Sequence, residues 1–255
     1  MALTDEQLER YARHLVLREI GGSGQRRLGR ARALCVGAGG LGSPALLYLA
    51  AAGVGTLGIV DDDHVSLSNL QRQVLHATSR VGRAKTDSAA AALAEINPEV
   101  RVVAHPVRLD ADNAAALIGA YDLVLDGSDN FATRHLVNET CVALGRPLVS
   151  AAIGQWEGQL SLFRPGGPCL ACVFPEIPAA GLAPSCAEAG VLGALAGVMG
   201  AAQAAEAVKL IVGAGAPLAG RLMLYDALWA EFRTIEIKRR PDCRVCAGAA
   251  RWEAP

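Results

Sequence analysis

The sequence predicts an α/β protein in which helices cover both faces of a mostly parallel sheet. Through the first 150 residues, short apolar stretches alternate with Ala-rich stretches, which is typical of a doubly wound sheet. A glycine-rich turn at residues 37–42 joins the first strand to a helix, as in Rossmann-like folds. After about residue 150 the alternation stops, so the later strands are expected to be partly antiparallel.

The elements are predicted in chain order from capping signals and apolar periodicity. Thr4 and Gln7 fit a capping box, so a helix is expected to begin there and to run to about Arg18. The apolar segment 190–202 is soon interrupted by polar residues and is too short to span a bilayer, so we expect a buried helix. The helix that follows the glycine-rich turn is expected to end at Ala52, and further helices are expected at 84–96, 112–118 and 131–144. Strands are expected at 31–37, 57–60, 100–104, 123–125, 147–150, 158–163, 221–225 and 232–237.

The composition favours one folded domain and excludes some partner classes. Of the 255 residues 52% are hydrophobic and 19% are charged, so a large core is available. The formal net charge of −1 argues against nucleic-acid binding driven by bulk electrostatics. The acidic N-terminal sequence lacks the basic and apolar regions of a secretory signal. A cytoplasmic protein without membrane attachment is therefore expected.

The glycine-rich turn predicts a nucleotide site. Its glycines permit a tight turn, and the following helix N-terminus offers N–H groups to a phosphate. Asp61 ends the next strand, where a carboxylate can accept hydrogen bonds from ribose hydroxyls. Taken alone, these features would fit NAD, or a tight turn with no ligand. The glycines are Gly37, Gly39, Gly40 and Gly42.

Charged residues at the carboxyl ends of further strands favour a nucleoside triphosphate over NAD. They are Arg72 in the segment 68–73, Lys85 at a predicted helix start, and Asp129 in the segment 126–130. A carboxylate there could bind Mg²⁺, although the segment 126–130 also fits a helix N-cap. Cations around phosphates suit phosphoryl or nucleotidyl transfer, whereas hydride transfer does not need them.

Two CxxC pairs predict a structural zinc site. Four thiolates fill the tetrahedral coordination of zinc and leave no open position for catalysis. The long separation of the two pairs means that they would tie distant segments together. The alternative is two independent redox dithiols. The four cysteines are Cys169, Cys172, Cys243 and Cys246.

Together these motifs resemble the ThiF/MoeB/HesA family, the bacterial relatives of ubiquitin-activating enzymes. The resemblance covers nearly the whole chain. Its most specific parts are Asp61 followed by the Asn-Leu-x-Arg-Gln element and the paired cysteine motifs. The matching segments are 10–14, 37–42, 65–73, 82–85, 126–130 and the two CxxC pairs.

The resemblance implies an activity. Such enzymes use ATP and Mg²⁺ to adenylylate the C-terminal Gly-Gly carboxylate of a ubiquitin-like sulfur-carrier protein and release pyrophosphate. It also implies a homodimer, and the predicted helical wheel places Arg13 away from its own core. The implied roles are ribose binding by Asp61, phosphate binding by Arg72 and Lys85, orientation of the nucleotide by Asn69 and Gln73, Mg²⁺ binding by Asp129, and contact of Arg13 with the γ-phosphate in the neighbouring subunit.

The resemblance also implies the organisation of the chain. A single domain of residues 1–255 is expected, with N-terminal helices at 1–30, a nucleotide-binding half at 31–150 and a carrier-binding and zinc half at 151–255. A rhodanese domain, which delivers sulfur in some relatives, is not expected. Sulfur is therefore expected to come from a separate donor, or the protein performs only the activation step.

Two questions stay open at the level of sequence. The stretch 65–73 is most similar to the MoeB branch, which favours a MoaD-like carrier and molybdenum cofactor biosynthesis, with a ThiS-like carrier and thiamine biosynthesis as the alternative. Cys186 is either a thiol that links to the carrier or a spectator. An NAD-dependent oxidoreductase and a non-catalytic binding partner are the rival functions.

Overall fold

The computed structural model describes residues 3–178 and 189–248. Its strands are β1 Arg32–Val36, β2 Thr56–Val60, β3 Arg101–His105, β4 Leu123–Asp126, β5 Leu148–Gly154, β6 Glu157–Phe163, β7 Arg221–Asp226 and β8 Glu231–Glu236. They form one sheet in the order β3-β2-β1-β4-β5-β6-β7-β8. The first five strands in the chain run parallel to one another, and the last three extend the sheet beyond β5 by antiparallel pairing.

The helices cover both faces of the sheet and confirm the predicted doubly wound α/β fold. The helices are α1 Asp5–Arg10, α2 Ala12–Leu15, α3 Gly21–Arg30, α4 Gly42–Ala51, α5 Lys85–Ile96, α6 Ala114–Gly119, α7 Phe131–Ala143, α8 Leu170–Val173 and α9 Gly193–Val212. Side chains of α3, α4, α5 and α9 share one core cluster with the sheet, and those of α6, α7 and α8 share the other.

Strand β1 shows how the sequence divides between the two cores. Ala33 and Cys35 face the first cluster, while Leu34 and Val36 face the second. All four are apolar because a central parallel strand is buried on both sides. This strand carries the glycine-rich turn at its carboxyl end, at the centre of the sheet.

The prediction of one N-terminal helix from Thr4 to about Arg18 is wrong. The capping box is present, but α1 ends at Arg10 and α2 begins at Ala12. Tyr11 lies at the break because its side chain is buried, with its hydroxyl accepting a hydrogen bond from Asn97 at 2.8 Å. Leu8, although apolar, is 45% exposed. Tertiary contacts of Tyr11 therefore override the helical periodicity.

Helix α9 contains the segment that was predicted to be a buried helix. Among the described helices it is the one whose length and apolar composition would suffice to cross a bilayer, yet half of the apolar window is buried within the protein. Helix α9 packs against α4. The contact is so close that a Cβ added at Gly200 of α9 would lie 2.3 Å from the carbonyl oxygen of Leu41, the residue before α4. Helix α9 thus packs directly against the end of the glycine-rich turn.

Candidate functional site

A cavity of about 300 Å³ opens at the carboxyl ends of the parallel strands. Open α/β sheets bind ligands at this edge, where the loops after neighbouring strands converge. The cavity therefore brings together most of the residues predicted from the sequence. Those that line it are Gly37, Gly39, Gly40, Asp61, Arg72, Gln73, Lys85 and Asp129.

The glycine-rich turn connects β1 to α4 with almost no space to spare. Gly37 has a φ of +93°, a conformation that glycine adopts without steric cost. A Cβ added at Gly42 would lie only 1.9 Å from the carbonyl oxygen of Gly37. Gly42 does not line the cavity itself, but it lets the turn close so that Gly39 and Gly40 do.

We expect Gly42→Ala to destabilise the protein by about 1–3 kcal/mol, the usual cost of overpacking. The clashing atom is a backbone oxygen, so the turn as a whole must shift. Gly29→Ala is the matched control, because that helical glycine has open space around its Cβ position. Denaturant unfolding of both variants checks the prediction, and equal stabilities would contradict it.

Carboxylates surround the buried ammonium group of Lys85. Lys85 is 4% exposed, and its Nζ lies 2.7 Å from Asp63 Oδ2 and 4.0 Å from Asp61 Oδ1. These carboxylates compensate for placing a cation at the first residue of α5, where the helix dipole disfavours it. Asp61 also accepts hydrogen bonds from the N–H groups of Ala38 at 2.8 Å and Asp63 at 2.9 Å, so its carboxylate is held rigidly beside the turn.

The loop after β2 positions Arg72 through Asn69. Asn69 Oδ1 accepts a hydrogen bond from Arg72 Nη2 at 2.9 Å, and its amide donates to Ser66 Oγ at 2.6 Å. Asn69 is not among the residues that line the cavity, so its predicted contact with a nucleotide stays a prediction. Gln73 does line it, and the buried Gln73 Oε1 has no hydrogen-bond partner among the described residues.

The segment after β4 combines a helix cap with an exposed carboxylate. Asn130 accepts a hydrogen bond from the Thr133 N–H at 2.9 Å and caps α7, which confirms the N-cap interpretation. Asp129 precedes it and lines the cavity. Asp126 is fully buried, and burial raises its pKa although Arg134 and Ser128 oppose that shift. The cap thus fixes the backbone that presents Asp129.

Sequence reasoning missed Arg134, which lies where the cavity meets a second one. Arg134 donates to the Ser128 carbonyl at 3.1 Å, and its buried Nε has no partner among the described residues. The second cavity, of about 330 Å³, runs along β5–β8, and Arg134 and Ile153 line both. The available signal was the position of Arg134 in the first turn of α7, shortly after Asp129. Arg108 and Asp63 also line the first cavity and were not predicted.

The four predicted zinc ligands form one cluster apart from the residues that line the first cavity. Their sulfur atoms all lie within 4.8 Å of one another, and three of the distances are 3.5, 3.7 and 4.0 Å. Sulfurs about 2.3 Å from one zinc at tetrahedral angles lie about 3.8 Å apart. The cluster therefore fits zinc and joins α8 to the segment after β8. Its members are Cys169, Cys172, Cys243 and Cys246.

The thiols of this cluster differ in their surroundings. Burial raises the pKa of Cys169. Burial is the largest influence on the pKa of Cys243 and acts to raise it, but hydrogen bonds with the backbone N–H groups of Cys246 and Val245 and with the thiols of Cys246 and Cys169 together lower that pKa to about 7. Zinc binds the deprotonated thiolate, so the backbone around Cys243 favours the ligand form. Cys35 and Cys141 are buried apart from the cluster.

Two predicted residues lie elsewhere. Arg13 is exposed on α2 and does not line the cavity, in agreement with the outward direction expected from the sequence. Its predicted role in a neighbouring subunit stays a prediction. Cys186 lies outside the described residues.

Curated relatives match nearly the whole chain. A sulfur carrier protein adenylyltransferase of Thermus thermophilus is 52% identical, over 96% of this chain and 93% of that protein. The SAMP-activating enzyme E1 of Haloferax volcanii is 49% identical, over 96% and 91%. A probable adenylyltransferase/sulfurtransferase MoeZ of Mycobacterium tuberculosis is 51% identical over 94% of this chain, which spans 63% of MoeZ.

The fold is similar to that of two solved structures, and one family model matches the chain. Escherichia coli MccB has the same fold, with a TM-score of 0.83 at 23% identity, over 99% of this chain and 75% of MccB. PaaA gives a TM-score of 0.77 at 23% identity, over 94% and 76%. The model of the ThiF family matches residues 11–245. The chain therefore belongs to the ThiF family.

Proposed function

We propose that this protein uses ATP to adenylylate the C-terminal carboxylate of a small ubiquitin-like carrier protein that ends in Gly-Gly. The observation that carries the proposal is the pair of adjoining cavities that share Arg134 and Ile153. One contains a phosphate-type turn, cations and carboxylates, and the other is a groove along β5–β8. A nucleotide in the first and an extended peptide tail in the second would meet at Arg134.

The first cavity has groups for each part of ATP. The N–H groups of the glycine-rich turn and the N-terminus of α4 suit phosphate oxygens. The fixed carboxylate of Asp61 suits ribose hydroxyls. Arg72 and Lys85 supply positive charge to the lining of the cavity. Asn69 would act on the nucleotide through Arg72, which it orients, and the unpartnered Gln73 Oε1 offers a further acceptor.

The reaction needs charge neutralisation more than proton transfer. A carrier carboxylate is already ionised at neutral pH, so its oxygen can attack the α-phosphorus of ATP directly. The new C–O–P bond forms as the bond to the β-phosphate oxygen breaks, and pyrophosphate carries the electron pair away. Arg72 and Lys85 would stabilise the charge that develops on the phosphate oxygens. The bound tail supplies the alignment.

Asp129 would hold Mg²⁺, which neutralises phosphate charge when bound. Its exposed carboxylate lines the cavity and is of the ligand type that Mg²⁺ prefers. The carboxylates of residues 61–63 form a second acidic cluster. Lys85 is paired there, which makes that cluster a poorer site for a divalent cation.

We expect Asp129→Ala to lower ATP–pyrophosphate exchange at least about 30-fold while the protein stays folded. Loss of one transition-state contact costs roughly 2–4 kcal/mol, and excess Mg²⁺ should recover part of the rate. The matched control is Asp112→Ala, an exposed aspartate that does not line the cavity. Unchanged exchange in a folded Asp129→Ala variant would refute the magnesium assignment.

A homodimer would complete the site through Arg13. The exposed position of Arg13 on α2 leaves it available to a second subunit, where its guanidinium would contact the γ-phosphate. Mixing Arg13→Ala subunits with inactive Lys85→Ala subunits tests this, because a cross-subunit role predicts recovered activity in the mixed dimer. A mixture no more active than its components would contradict it.

A MoaD-like carrier in molybdenum cofactor biosynthesis is the substrate that we favour, and a ThiS-like carrier in thiamine biosynthesis is the alternative. The support is the similarity of residues 65–73 to the MoeB branch and the relative named MoeZ. Zinc held by the four cysteines would be structural. A role for the Cys186 thiol belongs to the ThiS-like alternative.

The decisive assay compares ATP–pyrophosphate exchange with a MoaD-like and a ThiS-like carrier side by side. Faster exchange with the MoaD-like carrier supports the preferred substrate, and the reverse supports the alternative. A parallel titration with NAD and ATP separates the oxidoreductase rival, which would bind NAD. Exchange with neither carrier would favour the non-catalytic partner.

A further inference from the structure

A buried histidine outside the predicted site closes a ring of hydrogen bonds around the glycine-rich turn. His76 is 7% exposed. Its Nε2 lies 2.9 Å from the carbonyl oxygen of Ala38, and its Nδ1 lies 2.9 Å from Ser88 Oγ on α5. Ala38, in the middle of the turn, also donates its N–H to Asp61. Both polar groups of the Ala38 backbone are therefore fixed by side chains.

The partners of His76 define its tautomer. A carbonyl oxygen can only accept, so Nε2 must carry the proton. In the neutral imidazole, Nδ1 is then an acceptor, and the Ser88 hydroxyl donates to it. Burial lowers the pKa of His76, and Lys85 and Arg80 lower it further against the opposing effects of the Ala38 carbonyl and Asp61. The neutral form that this pattern needs is thus the favoured one.

The ring passes through residues of the proposed nucleotide site. Asp61 accepts the N–H of Asp63, and Asp63 holds Lys85. Lys85 and Ser88 are one turn apart on α5. The hydrogen bond between Ser88 Oγ and His76 Nδ1 then closes the ring. The backbone N–H of His76 also donates to the Gln73 carbonyl at 3.0 Å. The turn, α5 and the loop that carries Arg72 are therefore tied together at one histidine.

The geometry of the peptide bond explains what His76 can control. The Ala38–Gly39 peptide bond is trans, so the Ala38 carbonyl and the Gly39 N–H point in opposite directions from one plane. Holding the carbonyl towards the buried imidazole turns the Gly39 N–H the other way. Gly39 lines the cavity, and its N–H has no acceptor among the described residues.

We propose that His76 is a positioning residue for the nucleotide: by holding the Ala38 carbonyl, it aims the Gly39 N–H at a phosphate group. This inference rests on the proposed function, because it takes the ligand of the cavity to be a nucleoside polyphosphate. It assigns His76 no contact with the reacting atoms. Its effect is specific to phosphates, so binding of the nucleoside alone does not depend on it.

Two substitutions of similar size separate the two hydrogen bonds of His76. The side-chain amide of Gln reaches the position of Nε2 and can donate to Ala38, whereas that of Asn reaches only the position of Nδ1. We expect His76→Asn to weaken ATP binding about tenfold, the effect of one lost and unreplaced hydrogen bond. His76→Gln should stay within about threefold of the unchanged protein, and adenosine should bind all three equally.

Isothermal titration calorimetry measures the affinity of each protein for ATP and for adenosine, and thermal unfolding shows whether each variant is folded. Equal ATP affinity in the Asn and Gln variants, or equal losses for ATP and adenosine, would overturn the proposal. If His76→Asn does not fold, Ser88→Ala is the second variant. It keeps the imidazole of His76 but removes the hydroxyl that selects the tautomer of that imidazole. It should weaken ATP binding in the same selective way, and unchanged affinity would overturn the proposal.

The same experiment distinguishes this inference from the proposed function. If the unchanged protein binds ATP but adenylylates neither carrier, the proposed function fails while the selective effect of His76→Asn on ATP still stands. If the exchange reaction proceeds and His76→Asn leaves ATP affinity unchanged, only the role of His76 fails. Absence of any ATP binding to the unchanged protein would overturn both.

Discussion

Lys85→Ala is expected to lower the rate of ATP–pyrophosphate exchange by about 30- to 1000-fold. A group that stabilises developing charge in a buried site contributes roughly 2–4 kcal/mol to the transition state. Lys85 meets this description because it is 4% exposed, lines the cavity and is positioned by Asp61 and Asp63. Arg72→Ala is expected to act in the same direction. Steady-state exchange kinetics at saturating ATP measure the effect.

Lys209→Ala is the matched control for Lys85→Ala. Lys209 also forms an ion pair with a buried carboxylate, Glu206, but lies on α9 and does not line the cavity. Both variants remove a lysine and leave a carboxylate without its partner, so both are expected to lose some stability. Only Lys85→Ala should lose exchange activity beyond its loss of folded protein. A similar fall in both variants would show that stability, not charge at the site, causes the defect.

Cys169→Ser is expected to remove zinc and to lower the melting temperature by roughly 6–12 °C. Structural zinc contributes on the order of 10 kcal/mol to small units that fold around it. The share here should be nearer about 3 kcal/mol, because the two large core clusters that cover the sheet contain none of the four cysteines, and this loss corresponds to that temperature shift. Zinc content by atomic absorption and thermal unfolding check both parts.

Cys141→Ala controls for the loss of a buried thiol. Cys141 is as buried as Cys169, each being 2% exposed, but it lies in the second core cluster and outside the cysteine cluster. Its variant should keep zinc and lose only packing energy. Treating the unchanged protein with a strong chelator should reproduce the effect of Cys169→Ser. Full zinc content in the Cys169→Ser variant would contradict the four-thiolate site.

The fold was predictable because its strong signals are local. Buried strands such as β1 are apolar at every buried position, and the Ala-rich helices between the strands have the length that a parallel crossover needs. The N-terminal helix was mispredicted because Tyr11 bonds Asn97, a residue far along the chain. A helical wheel contains no information about such a contact, so the break at Tyr11 and the exposure of Leu8 could not be derived.

The candidate site was partly predictable for a topological reason. Loops after parallel strands meet at one edge of the sheet, so the polar residues at the strand ends could be grouped from the sequence alone. Arg134 and His76 were missed because what distinguishes them is where the fold places them, and the closeness of Arg134 to Asp129 in the sequence was the one local signal. Arg134 gains its position where two cavities meet, and His76 gains its position from Ala38 and Ser88. Both relationships exist only after folding.

The proposed reaction joins the carboxylate of a Gly-Gly terminus to AMP in the cavity lined by Lys85 and Arg72. Intact-mass spectrometry of a MoaD-like carrier, after incubation with this protein, ATP and Mg²⁺, detects the product itself. We expect the carrier to gain one adenylyl group. No adduct should form on a carrier that lacks its last two glycines, and the adduct should form far more slowly when Lys85→Ala replaces the unchanged protein. An unmodified intact carrier, or an adduct on the truncated one, would contradict the proposed reaction.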